Sequence, residues 1–298
     1  MDFPRQAYAA AIEGEPVSIG SEEHRRLYCR TFVDTHNPYR PEDVAWPDLD
    51  FEALARLKAL PVWNEAVRTE AATAVKVQAL GRAERDPLLA EAISLQGYEE
   101  GRHAAVIAHL TRRYGIRVDP FPDPTPPLDP TWAFLRTGYG ECLDSFFAFG
   151  LFEIGRRTEF FPNELIAIFD QIMQEEARHI LFLVNWAEDV RARRSRLGRL
   201  AFDARRAWNI AAQAFDRLRG AMAMKGAKAQ DGFTMKTHAE LGDLSLRSFL
   251  ELCLGENARR LAPYDERLLR PTLTPGAVRT LLRVLPGGGA DRALRAQG

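Results

Sequence analysis

Cysteine is scarce: Cys29, Cys142 and Cys253 are the three thiols in 298 residues, far apart and never in a CxxC pair. Zinc ribbons, rubredoxin-type iron sites and disulfide frameworks all need closely spaced or paired thiols, so each is excluded. A reducing compartment is expected. Charge of one sign is lacking too, with 40 Lys plus Arg against 41 Asp plus Glu and a formal net charge of −1. No global field draws in a polyanion, so neither nucleic acid nor an anionic membrane surface is an expected partner. Long apolar runs are also missing. The longest, Phe146 to Phe152 with Gly150 inside it, is far shorter than the roughly 20 residues that span a bilayer. The opening Met1-Asp2-Phe3-Pro4-Arg5 has an acid and a proline in place of the apolar stretch of a signal peptide. A soluble, cytoplasmic protein is the expectation.

β-Strand patterning is absent as well, and helical patterning dominates. Residues 1–60 mix one helical candidate, Glu22 to Phe32, with turn-rich sequence at His36-Asn37-Pro38 and Trp46-Pro47-Asp48, and read as an extension that wraps a core. From Pro61, residues Trp63, Ala66, Val67, Ala71, Ala74, Val77 and Leu80 recur at three- and four-residue spacing, which predicts a helix to about Ala83. Asp86-Pro87 reads as an N-cap with proline at the first helical position, opening a second helix to about Tyr114. The proline-rich segment Asp119 to Pro130 excludes helix and holds an extended path, long enough to run back along a bundle. A third helix is predicted from Thr131 to Arg157, a fourth from Pro162-Asn163 to Arg194, and a fifth from Leu197 to Met224 with Trp208, Ala211, Phe215, Leu218 and Met222 on one stripe. A loop over Lys225 to Gly242 and a sixth helix, Asp243 to Ala262, follow. Two helical hairpins joined by one long crossover give an all-α four-helix bundle over residues 61–194, with the helices of 195–298 packed on it.

Two segments repeat each other. Glu99-Glu100-Gly101-Arg102-His103 lies on the second helix and Glu175-Glu176-Ala177-Arg178-His179 on the fourth; two independent matches to Glu-Glu-x-Arg-His arise by chance in about one chain in 10⁵ of this size. Residues three apart share a helix face, so Glu100 with His103, and Glu176 with His179, each present a carboxylate and an imidazole in one direction. Each pair can grip one metal ion. A two-ion site needs a further carboxylate from each of the other two helices, and in an antiparallel hairpin residues at one height lie equally far from the turn. For Glu70 and Glu100 the midpoint is 85, just before Asp86-Pro87, and for Glu141 and Glu176 it is 158.5, just before Pro162. Glu153 would place the second midpoint at 164.5, inside the fourth helix, an error of about 9 Å. Glu70 and Glu141 are the expected remaining ligands, with Asp144 as a competing one. Glu70 shares its face with Ala66, Val67, Thr73 and Ala74, where an unpaired carboxylate costs several kcal/mol unless a positive charge meets it.

These residues resemble the ferritin-like di-iron carboxylate superfamily, whose (Asp/Glu)-Glu-x-Arg-His element stands twice here and whose single glutamates match Glu70 and Glu141. The resemblance covers about Pro61 to Arg194. It implies that Glu99, Arg102, Glu175 and Arg178 form the hydrogen bonds and ion pairs that orient the histidines. Bland readings suffice for other groups: His24, His36, His109 and His238 as surface or satisfied polar residues, and Phe134, Phe146, Phe147, Phe149 and Phe152 as core. Arg191, Arg193, Arg194, Arg196 and Arg199 read as a solvated helix-end cluster, with a docking patch for an acidic electron donor as the sharper alternative.

Mixed carboxylate and imidazole ligands suit iron, with manganese as the alternative, better than calcium or structural zinc. The expected activity is therefore oxidation of a small organic substrate by O2 at two iron ions. The alternatives are a manganese catalase-like dismutation of peroxide and non-catalytic iron binding or storage. A ribonucleotide reductase radical site is disfavoured, because Val106 and Ile107 stand where that family places a tyrosine. No reductase is built in, so an external electron-donor protein is an expected partner. A homodimer is expected as well.

Overall fold

The computed structural model describes residues 17–226 and 245–285. Every regular element among them is helical: α1 (Glu22–Asp34), a single 3-10 turn (Pro41–Asp43), α2 (Phe51–Ala59), α3 (Trp63–Ala83), α4 (Pro87–Arg113), α5 (Pro130–Arg157), α6 (Asn163–Ala192), α7 (Arg196–Gly226), α8 (Leu246–Leu261) and α9 (Leu273–Val284). Helices α3 to α6 are the four predicted from periodicity, each starting and ending within two residues of its expected place. Their starts follow from side chains that satisfy free backbone donors. The Asp86 carboxylate accepts from the Leu88 and Leu89 amides at 3.0 and 3.2 Å ahead of α4. Asp129 does the same for Trp132 at 3.0 Å ahead of α5, and in both helices proline fills the first position, where its missing N–H removes no bond.

Helices α3 and α4 form one antiparallel hairpin and pack along most of their length, while α5 and α6 form a second; α3 rests on α5, and α4 on α6. The register within the first hairpin is fixed by close approach: a Cβ on Gly81 would meet the Ser94 side chain, and one on Gly97 the Gln78 side chain and backbone. The crossover that separates the hairpins carries no helix or strand between Arg113 and Pro130. The largest apolar cluster is built from α1, α3, α4, α5, α6 and the segment after α8, with Phe32, Ile93, Phe149, Phe182 and Trp186 at its centre. Phe134, Phe146 and Phe149 of α5 are buried, Phe147 and Phe152 partly so, in accord with their reading as core.

Three elements differ from expectation. Helices α2 and α9 lie where the sequence pattern assigns no helix; each is short, and amphipathic over few turns, so packing rather than propensity holds it. α2 buries Ala53 and Leu57, and α9 buries Pro275 and Val278. On α7, the stripe residues Trp208 and Phe215 face solvent instead of the bundle. Trp208 is 75% and Phe215 60% exposed, because α7 is tied to α5 through polar groups: Gln213 donates to the Arg136 carbonyl at 2.6 Å, and Arg217 grips Asp144. The loop expected at Lys225 to Gly242 falls almost wholly in 227–244, outside the described residues, as does His238. The basic cluster after α6 closes that helix end: Arg199 donates to the Ala192 and Arg194 carbonyls, and Arg191 pairs with Asp203.

Helix α8 lies against α5 where a Cβ on Gly150 would sit 2.3 Å from the Cys253 sulfur and 3.3 Å from its Cα. Gly150→Ala should therefore destabilise the fold by about 1–3 kcal/mol in chemical denaturation. Gly155→Ala, where nothing lies within 4 Å of the new Cβ, should be neutral or stabilising by up to about 1 kcal/mol.

Candidate metal centre

Helix geometry brings both Glu-Glu-x-Arg-His segments to the seam between α4 and α6, and the eight side chains other than the x residues divide the tasks there between them. The acid that opens each segment serves the histidine of the other. The Glu175 carboxylate accepts from His103 Nε2 at 2.8 Å, and Glu99 accepts from His179 Nε2 at 2.8 Å. An ionised carboxylate only accepts, so each Nε2 carries the proton and each Nδ1 turns the opposite way. The two rings lie 28° from parallel with centroids 5.6 Å apart.

Each arginine crosses the seam as well. Arg102 donates to Glu175 Oε1 at 2.6 Å, and Arg178 donates to Glu99 Oε1. All four of these side chains and both histidines are buried. Against burial, which favours the neutral acid, the contacts from His179, His36 and Arg178 hold the Glu99 carboxyl well below the usual carboxylate range. Glu99, Arg102, Glu175 and Arg178 thus join the two histidines in one set of hydrogen bonds and ion pairs, with each acid directed to the opposite helix.

On the inner side, Glu70, Glu100, His103 and Glu176 form a group whose ligand atoms all lie within 4.8 Å of one another, and which can hold a metal ion. His103 Nδ1 is 3.1 Å from Glu176 Oε1 and 3.7 Å from Glu70 Oε2; His179 Nδ1 is 2.9 Å from Glu100 Oε1 and 4.0 Å from Glu176 Oε1. None of these oxygens stands in hydrogen-bonding geometry, so both Nδ1 atoms are buried without a partner. Buried nitrogens are ordinarily satisfied. Two left bare beside carboxylates are what a cation-binding pair requires, so the donors fit a metal.

Glu141 of α5, and His179, lie outside that four-residue group, although Glu141 is near enough to feel its charges. Burial and the charges of Glu100 and Glu176 push its carboxyl well above the usual range. Burial, against the help of His103, likewise raises Glu70 to about 8, while contact with His179 overcomes burial and holds Glu100 low. Burial opposes protonation of both histidines, yet the surrounding carboxylates raise them well above their ordinary value. Asp144 is not brought to the cluster: its exposed carboxylate is held by Arg217 of α7. Glu153, set aside on register, is engaged by Arg156 and Arg157 at the far end of the helix.

The segment after α1 completes the surroundings. Arg178 donates to the Thr35 carbonyl and Arg102 to the Asn37 carbonyl, the latter at 2.9 Å. His36 reaches Glu99, and Phe32 stacks on the His179 ring with centroids 5.8 Å apart. Sequence reasoning placed His36 among unremarkable polar residues and saw a turn at His36-Asn37-Pro38; carbonyl acceptors leave no side-chain signature by which to be found. His24 is a satisfied buried residue, bonded to Asn185 at 2.9 Å, and His109 stacks on Trp46.

A cleft of about 530 Å³ opens beside the cluster, with Glu141 and Thr73 in its wall. No family model, curated protein or solved structure matches the chain.

Two predictions follow from the hydrogen bonding. Glu99→Gln should weaken metal binding by about 10- to 100-fold through His179 alone, since the residues of the inner group are untouched; competition with a chromophoric chelator measures it. Because burial pushes Glu70 up to about 8 and Glu141 above the usual carboxylate range, metal uptake should release protons and affinity should rise with pH through about 8. Calorimetry in buffers of different ionisation enthalpy should detect the release at pH 7.

Proposed function

We propose that the chain is a ferritin-like di-iron carboxylate oxidoreductase that uses O2 to oxidise a small organic substrate. The ligands are Glu70, Glu100 and His103 from the first hairpin and Glu141, Glu176 and His179 from the second. The observation that carries this reading is the pair of buried, partnerless Nδ1 atoms facing carboxylates while each Nε2 is anchored across the seam.

Charge supports two ions rather than one. Arg102 and Arg178 offset Glu175 and Glu99, which leaves the carboxylates of Glu70, Glu100, Glu141 and Glu176 around the two histidines. Once metal displaces their protons these four acids carry four negative charges in one buried place, which two dications would match, whereas a single dication would match only two of them. The mixed oxygen and nitrogen donor set suits iron. When bound, a pair of ferrous ions supplies two electrons for the reduction of O2.

The protein's own side chains define the rest. Glu99 and Glu175 fix the ring orientations and keep each Nε2 protonated, so that both Nδ1 lone pairs point inward. Phe32 over His179 and the carbonyls of Thr35 and Asn37 on the arginines close one side against water. The open side is the cleft at Glu141, which gives a substrate a route to the cluster, and this favours oxidation of an organic molecule over storage of iron. Electrons for repeated turnover come from an external donor protein or from the substrate.

Elemental analysis after anaerobic iron loading should give about two irons per chain, and admission of O2 should produce a transient charge-transfer absorbance. Manganese at that stoichiometry, with O2 released from peroxide, would replace the proposal by a catalase-like one. Glu100→Ala and His179→Ala should each fold and lose one or both ions; full metal content in either would show the ligand assignment to be wrong.

A further inference from the structure

The cleft at Glu141 is unequal in how its charges are met. Its acids are engaged: Asp144 is held by Arg217, and Asp129 caps α5 with Arg205 at 3.7 Å. Two of its cations are not. Lys76 of α3, half-buried, and Arg136 of α5 line the same space, and neither side chain has a hydrogen bond or ion pair among the described residues. Glu141 is the acid whose charge supports Lys76, against burial and the like charge of Arg136. As a metal ligand, Glu141 would share that charge with an ion and leave both cations facing the cleft.

Resting on the reading of the cluster as a di-iron centre, we infer that the cleft binds a small organic anion, with its acid group at Lys76 and Arg136 and its oxidisable carbon directed to Glu141. Spacing along the helices sets the size. Lys76 lies six residues beyond Glu70 on α3, and Arg136 five residues before Glu141 on α5, about 9 and 7.5 Å at the helical rise. The long side chains of Lys76 and Arg136 can shorten these backbone offsets, so a short chain or one ring with a short tether suffices to span from the two cations to Glu141. The volume of about 530 Å³ lies within the usual range for small-molecule sites. Trp132 offers a flat apolar wall, and Thr69, Thr73 and Thr137 offer hydroxyls to the uncharged part. A carboxylate and a phosphate monoester share the chemistry that Lys76 and Arg136 recognise.

The test is calorimetric binding, to metal-free and iron-loaded chain, of phenyl-capped carboxylates from benzoate to 5-phenylpentanoate, the matching alcohols, and phenyl phosphate. At least one anion should bind, its alcohol at least about tenfold more weakly, and Lys76→Met and Arg136→Met should each weaken the anion by about tenfold or more without altering the alcohol. Iron loading should tighten the anion. A carboxylate that binds better than phenyl phosphate identifies the acid as a carboxylate, and the reverse order identifies a phosphate ester. Absence of binding by every anion, or equal binding of acid and alcohol, would overturn the inference. If the anion binds to a chain that takes up no metal, the di-iron reading fails while the anion site stands; if two irons bind and no anion does, only this inference fails.

Discussion

The crossed pairing of Glu99 with His179 and Glu175 with His103 is the constraint on which the rest of the centre depends. Each bond spans the two helical hairpins, so the rings are oriented only when α4 and α6 stand in one register. Each is buried, and Arg178 and Arg102 reach the two acids from the same seam. A carboxylate taken from water without such partners would cost several kcal/mol. The repetition of one five-residue segment on two helices thus solves two problems together: the first acid of each copy holds the histidine of the other, the arginine of each copy holds the acid that serves its own histidine, and the second acid and the histidine face inward.

The segment between α1 and α2 is fastened by the same groups. Thr35 and Asn37 give their carbonyls to Arg178 and Arg102, and both guanidinium groups lie against aromatic rings, Arg178 over Phe32 at 4.8 Å and Arg102 over Tyr39 at 3.9 Å. The positive charge that balances the orienting acids is therefore also what fixes the N-terminal region onto the bundle. Binding at the centre and closure of that side are coupled, since loss of either arginine removes an anchor from both.

Much of this was legible in the sequence because period and spacing are properties of the chain. The boundaries of α3 to α6 came from caps such as Asp86-Pro87 and from the three- and four-residue recurrence of apolar positions; the inward groups came from the Glu-x-x-His spacing, and Glu70 from hairpin register. What could not be read depended on partners distant in sequence. The exchange of acids between helices is invisible to a local motif, the carbonyls of Thr35 and Asn37 have no identity of their own, and Asp144 is claimed by Arg217 of α7, 73 residues further on. The apolar stripe of α7 marked a helix correctly and its buried face wrongly, because Gln213 and Arg217, which bind it to α5, look like surface residues in isolation.

The most direct measurement is anomalous diffraction from crystals grown with iron under anaerobic conditions. The account predicts two peaks about 3.5–4 Å apart, one against His103 Nδ1 and the other against His179 Nδ1, with Nε2 of each ring still on the opposite helix's acid. A single peak, or metal bound elsewhere while both Nδ1 atoms stay bare, would contradict it.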